Sequence, residues 1–323
     1  MPDLNIGGQA VIEGVMMRSS DKISTAVRIP SGEIVIKTEE YKSLAQRYKV
    51  LNLPLLRGAV AFVEMMIIGI KTLNFSADIA MQEAEKEEAR EKGKEYNETE
   101  KKSNAWMLAL SAVFAMGFGI AIFFFTPLLL SDLFGINKEA VFFNLVAGAI
   151  RLTMFVLYVW GISFFGEFRR IFQYHGAEHK SIYAYEMGED LTADRAAEHT
   201  RLHPRCGTSF ILIVALLAIL IYAISDTIYT VVTGAPPTLF VRFGIHFALL
   251  PLVAGSSYEL LKLSGKTRDN AITKFLIQPG LWLQCITTKE PTTDQLEVAL
   301  AALKAALGLT SDDKVEAEQQ ALS

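Results

Sequence analysis

Four long apolar runs, at residues 106–130, 141–165, 208–230 and 239–261, set the pattern of this chain. Each is long enough to cross a bilayer as a helix, which takes about 20 residues at ~1.5 Å of rise per residue. A fifth run, 51–73, is interrupted by Arg57, Glu64 and Lys71 at seven-residue intervals. Seven residues are close to two helical turns, so the three charges share one stripe. That spacing predicts a helix lying in the membrane interface, or re-entering against the bundle, rather than one bathed in lipid on all sides.

Outside the apolar runs the pattern changes. Residues 25–29 and 33–37 alternate around Pro30-Ser31-Gly32, which predicts a β-hairpin within a Gly-, Val- and Ile-rich segment spanning 7–38. Between 81 and 102 the chain is almost continuously charged and reads as a solvated helix or linker. Gln278-Pro279-Gly280 predicts a turn, and apolar residues at helical spacing over 293–307 predict a final helix, capped by Asp294, that packs on the cytosolic loops. The expected organisation is a β-rich segment (1–50), the interfacial or re-entrant helix (51–73), a charged linker (74–103), a four-span bundle (104–261) enclosing a polar loop (166–207), and a tail (262–323). The fold class is mainly α, a polytopic membrane bundle with an amino-terminal β-hairpin region.

Charge orients the bundle. The loop 166–207 carries Arg169, Arg170, Lys180, Arg195, Arg201 and Arg205, and the tail opens with Lys262, Lys266 and Arg268, whereas the other two links hold only Lys138. Positive loops stay in the cytoplasm, so the loop and both termini are expected there. A hydrophobic content of 51% fits an integral membrane protein, and a net charge of −4 disfavours nucleic acid as a partner. Cys206 and Cys285 make no CxxC pair and no disulfide framework. The first residues lack a basic segment leading into an apolar core, so no cleaved secretory signal is expected.

Four of the five histidines fall between His175 and His203 in the polar loop, which contains His175-Gly176-Ala177-Glu178-His179. Imidazoles four apart on a helix share a face, and the order HxxEH is that of one class of zinc hydrolases. Catalytic zinc takes three protein ligands and keeps a position for water, whose acidity the metal raises. His175 and His179 supply two ligands, and the third is His203 or Cys206, beside the turn-forming Pro204. Glu178 is then the general base and Glu186 a reserve carboxylate ligand. The same residues can instead close a structural site, or solvate a membrane-surface helix. Ala177-Glu178-His179 recurs as Ala197-Glu198-His199, and His199 reads as a surface residue or a partner behind a ligand.

Two ionisable groups lie inside expected spans. Arg151 should face the bundle interior and find a counter-charge, with Asp226 or Glu64 as candidates, and His246 lies within the fourth run. They line a route for a polar substrate or serve as a buried pair that holds helices together.

Three segments carry a resemblance: Gly7 through Arg18 (GGQAVIEGVMMR), Tyr174 through Lys180 (YHGAEHK) and His203 through Thr208 (HPRCGT), together with Tyr258-Glu259 and the run from Pro279 to Gln284. They resemble the YqhQ-like family of bacterial membrane proteins, domain of unknown function 1385. The resemblance implies a multi-pass protein of the bacterial inner membrane and a metal-dependent enzyme of undetermined reaction. It also draws attention to Glu13 and Arg18, either as a carboxylate and an anion-binding group reaching the site or as solvated charges of a hairpin. The expected activity is metal-assisted hydrolysis, with zinc as cofactor. Arg18, Arg57 or Arg151 would orient a negative group on a lipid-linked, peptide or phospho-substrate at the lipid surface. The competing readings are a transporter or metal-binding protein that uses Arg151 and His246, and an assembly scaffold with a structural metal.

Overall fold

A computed structural model describes residues 6–92, 105–135, 140–266 and 270–309. The chain opens with a four-stranded antiparallel meander, β1 (Gly7–Val11), β2 (Gly14–Arg18), β3 (Lys22–Arg28) and β4 (Ile34–Glu40), in that spatial order. The hairpin expected around Gly32 is the β3–β4 pair. Gly32 has φ +93°, a conformation open to glycine, and its N–H donates to the Ile29 carbonyl at 2.9 Å. The segment ahead of it forms a second hairpin, β1–β2, in which Glu13 takes φ +52°.

Alternation along these strands gives the sheet two covered faces. Val15, Met17 and Ala26 point to one side and pack against α6 (Gly166–Glu186) and α12 (Thr293–Ala306). Gln9, Met16 and Thr25 share the other side, which faces α2 (Leu56–Glu91); Gln9 sits against Gly69 of that helix. The one-turn α1 (Leu44–Arg47) links sheet to helix. The two ends of the chain therefore share one core: Arg28 of β3 pairs with Glu297 of α12 at 2.7 Å.

In α2 the charged stripe faces protein. Arg57 grips Glu259 through two nitrogens, Lys71 pairs with Glu39 at 2.5 Å, and the Glu64 carboxylate accepts from the Ser43 hydroxyl at 2.8 Å and the Leu44 N–H at 2.6 Å. A neighbouring apolar stripe, including Val63, Met66, Ile67 and Ile70, is exposed. The helix also continues past 73, where a linker had been expected to begin, because Ala, Glu, Gln, Met, Lys and Arg fill its last four turns and all are strong helix formers.

The bundle comprises α3 (Ala105–Ile120), a π-helical turn at Ala121–Phe125, α4 (Thr126–Leu133), α5 (Ala140–Ile162), α8 (Gly207–Thr233), α9 (Leu239–Ala248), α10 (Leu250–Lys266) and α11 (Ala271–Thr287). The short α7 (Ala193–Ala197) lies in the polar loop. Three helices among the described residues are long and apolar enough to cross a membrane, and a fourth crossing results if the bent pair α9–α10 counts as one.

Prolines explain where these helices depart from simple runs. The fourth run is two helices bent by 47°, because Pro251 offers no N–H to the Phe247 carbonyl. In the first run, Pro127 likewise leaves the Phe123 carbonyl without its i+4 donor, and Nε of Arg151 donates to it at 2.9 Å. Arg151 also lies over the Phe124 ring. Its partner is a backbone carbonyl, and neither Asp226 nor Glu64 fills that role. Pro279 does not make the expected turn, since α11 runs through it. The final helix is capped by Thr292 rather than Asp294. The Thr292 hydroxyl accepts from Gln295 N–H at 3.4 Å and Gln295 Oε1 accepts from Thr292 N–H at 2.9 Å, a reciprocal pair that Asp294, inside the first turn, cannot make.

Leu303 is fully buried where α12 meets the sheet. Leu303→Ala is expected to cost about 2–5 kcal/mol and Leu303→Met less than about 1.5. Thermal melts of detergent-purified protein, followed by protease cleavage of the carboxyl-terminal region, check the order.

Candidate metal centre

Helix α6 carries two jobs on two faces. Tyr174, Ala177 and Ile182 enter the core shared with the sheet and α12. His175, Glu178 and His179, at positions i, i+3 and i+4, project together from an adjacent face. Gly176 lets a second chain segment come close: a Cβ there would lie 2.1 Å from the Lys289 carbonyl oxygen. The approach is secured by Lys289 N–H donating to the Phe172 carbonyl at 2.8 Å. It brings the end of α11 against the histidines.

Both imidazoles are oriented by backbone oxygens. Nδ1 of His175 meets the Thr287 carbonyl at 2.8 Å, and Nδ1 of His179 meets the Arg201 carbonyl at 2.5 Å. A carbonyl only accepts, so each Nδ1 carries the proton and each Nε2 keeps its lone pair. Nε2 of His175 lies 3.1 Å from the Cys206 sulfur, while Nε2 of His179 is buried without a hydrogen-bond partner. One ring nitrogen from each histidine and the Cys206 sulfur all fall within 4.8 Å of one another. Burial, reinforced by His175, lowers the pKa of the His179 imidazole, against the opposing effects of Cys206 and the Arg201 carbonyl. The donor set fits a divalent metal: two imidazoles, a thiol that becomes a ligand on losing its proton, and carbonyls behind the rings.

Glu178 is buried beside this cluster. Burial pushes its pKa up to about 8, with Cys206 adding to the rise while His175 and the backbone N–H of Gly8 oppose it. Gly8 belongs to edge strand β1 and is itself constrained, because a Cβ would come within 2.8 Å of Glu178 Cγ. Gly8 of the first motif thus admits a carboxylate under the sheet edge.

The other expected site residues lie as follows. His203 turns its Nε2 to Glu186 at 3.3 Å, and Glu186 also pairs with Arg205. His199 pairs with Glu189 at 3.0 Å and stacks on Tyr183. Glu13 is gripped by two nitrogens of Arg170 and accepts from the Tyr174 hydroxyl at 3.4 Å. Arg18 donates to the Met65 sulfur and lies over the Tyr41 ring; Arg57 and Arg151 have the partners described above.

Sequence reasoning missed the polar frame around the cluster. The Arg201 guanidinium donates to the Thr288 carbonyl and hydroxyl at 2.6 and 2.7 Å, so one side chain ties the two carbonyl-bearing segments together. Buried Gln284 clamps the backbone of His203, accepting from its N–H at 2.7 Å and donating to its carbonyl at 2.8 Å. The run from Pro279 to Gln284 was a signal for the latter. A backbone carbonyl leaves no signal in residue type.

A family model described as a protein of unknown function (DUF1385) matches residues 53–309, and the chain belongs to this family. It is 34% identical over 311 residues to the uncharacterized protein YqhQ of Bacillus subtilis (strain 168), covering 94% of this chain and 92% of that protein. No solved structure matches.

Gly176→Ala is expected to force α6 and the segment after α11 apart, at about 1–3 kcal/mol, the usual cost of overpacking. A lowered melting temperature checks this, alongside Ala177→Gly as a control that removes volume from the same turn.

Proposed function

We propose that this protein is a metal-dependent hydrolase of the membrane surface, with His175, His179 and Cys206 holding zinc or a similar divalent ion and Glu178 acting as general base. One observation carries the reading: both Nε2 lone pairs and the Cys206 sulfur converge, with a buried carboxyl three residues along the same helix face. When bound, such an ion supplies Lewis acidity for attack of water on an acyl or phosphoryl centre. Three protein ligands are the number found in catalytic zinc sites. The protein's own groups do the rest. The Thr287 and Arg201 carbonyls hold the rings in one tautomer, and Gly8 N–H holds one oxygen of Glu178. With a bound divalent charge offsetting the burial that raises its pKa, the Glu178 carboxylate stays ionised to take a proton from water and return it to the leaving group. The basic loop and tail support a cytoplasmic placement of this centre and of both termini, in a bacterial inner membrane. The exposed apolar stripe of α2 supports an interfacial position for that helix. A lipid-linked, peptide or phospho-substrate suits a site at this boundary, with Glu13, Arg18, Arg57 and Arg151 as candidate groups for orienting it.

A second reading has its own observation. The cluster joins α6, the start of α8 and the end of α11, so a closed structural ion would staple three segments. The two readings part on Glu178.

Metal analysis of detergent-purified protein should find the ion in wild type and lose it in His175→Ala, His179→Ala and Cys206→Ser, but keep it in His203→Ala. Unchanged content in His175→Ala would remove the centre. Glu178→Gln should retain metal and fold while hydrolysis of chromogenic ester and phosphodiester probes drops about 10²–10⁴-fold. Loss of metal and fold together in Glu178→Gln supports the structural staple.

A further inference from the structure

A second polar cluster lies toward the other end of α8, separate from the metal centre. Asp226 is fully buried, takes a hydrogen bond from each of two other helices and is ion-paired with an arginine. Asn144 of α5 donates to Oδ2 at 2.7 Å, Arg242 of α9 places Nε 2.7 Å from the same oxygen, and His246 of α9 places Nε2 3.0 Å from Oδ1. Arg242 lies over the Phe143 ring at 3.8 Å, and the His246 ring stacks flat on Tyr222 with centroids 4.0 Å apart. Arg151 of α5 and Asp132 of α4 are the other charged groups whose fields reach it.

The tautomer of His246 follows from its partner. An ionised carboxylate only accepts, so Nε2 carries the hydrogen that points to Asp226 and Nδ1 bears a lone pair. That Nδ1 is buried and has no hydrogen-bond partner, and neither have Nε and Nη2 of Arg242, which meets Asp226 as an ion pair only. An unpaired acceptor in a dry site is costly, and an ion pair kept only to hold helices together has no use for one. The chemistry of the cluster narrows what can occupy that nitrogen. A metal cation is opposed by the Arg242 guanidinium, and Asp226 already spends both oxygens on other donors. An anion would compete with Asp226 for the same arginine. A proton also adds charge beside Arg242 and Arg151, but it needs no further ligand, and Asp226 against the far side of the ring supplies the opposing charge.

We propose that His246, backed by Asp226, is a proton-binding site inside the bundle. A proton from water forms an N–H bond at Nδ1, the Nε2–H bond to Asp226 stays in place, and the imidazolium that results faces the carboxylate; no electrons move. Its position on α9, the short arm of the broken α9–α10 pair, places the charge change at a bend in the bundle. A protonatable group there is what a proton-coupled transport or gating step requires.

The test uses the full-length protein in nanodiscs of phosphatidylethanolamine and phosphatidylglycerol, with ¹⁵N-labelled histidine and His246 assigned by difference from His246→Gln. The Nδ1 resonance is expected to move from that of a lone-pair nitrogen to that of a protonated one within about pH 5–8, where histidine titrates. Asp226→Asn should weaken proton affinity by roughly tenfold to a thousandfold, as loss of an adjacent opposite charge does. His246→Gln, which keeps a donor for Asp226, should fold normally by circular dichroism and take up one proton fewer per chain in a pH-jump titration. A His246 resonance unchanged across the window, or equal proton uptake by wild type and His246→Gln, overturns the proposal. The uptake comparison decides the matter even if Asp226→Asn does not fold.

Discussion

The approach of the segment after α11 to helix α6 is the contact on which the histidine–cysteine cluster depends. It exists because Gly176 presents no side chain to the Lys289 carbonyl. Once that backbone is close, the Thr287 carbonyl reaches His175, and the Arg201 side chain, bound to Thr288, brings its own carbonyl to His179. Two rings are thereby turned the same way, with protons outward and lone pairs inward. The helical spacing only puts the histidines side by side. It is the carbonyl frame that makes them joint donors.

The same frame relates the site to the two solvents of the molecule. The sheet, α6 and α12 form a dry core of ordinary globular type, including fully buried Val15, Met17, Val298 and Leu303. The bundle inverts this arrangement: Phe114, Leu133, Val231, Val232 and Phe240 lie on its outside. Large apolar faces of that extent are stable against lipid and unstable against water. Cys206 stands one residue before α8 begins, where the two regimes meet. The centre is thus assembled from a globular helix and the first turn of a membrane helix, and neither half holds three donors alone.

Much of this was legible in the residues, for identifiable reasons. The apolar runs report helices because lipid demands about 20 such residues in a row. The Arg57–Glu64–Lys71 stripe announced a helix with one face committed to protein, and all three charges do meet protein partners. His175 and His179 were legible through helical periodicity. The third donor was ambiguous because His203 and Cys206 flank the same proline. Only the path of the loop, with Gln284 clamping the His203 backbone, turns one to Glu186 and the other to the imidazoles. The prolines were visible and their effects were not. Pro251 breaks a run that composition presents as continuous, while Pro279 sits inside a helix that composition would have ended.

Arg151 shows why counter-charges are hard to infer from sequence. A buried cation needs electron density, and a carboxylate is only one source of it. Pro127 removes the donor that would otherwise occupy the Phe123 carbonyl, and the aromatic face of Phe124 stands beside that oxygen. Arg151 is satisfied by both. That leaves Asp226 to Arg242, Asn144 and His246, a grouping that no spacing in the sequence suggests because it spans α5, α8 and α9. Cys206 and Asp226 are twenty residues apart along the chain, roughly 30 Å along a straight helix and close to the thickness of a hydrocarbon core. Helix α8, long and apolar enough to cross a membrane, therefore connects two polar centres through an apolar stretch. Its long run of apolar side chains keeps each centre chemically separate while fixing the distance between them.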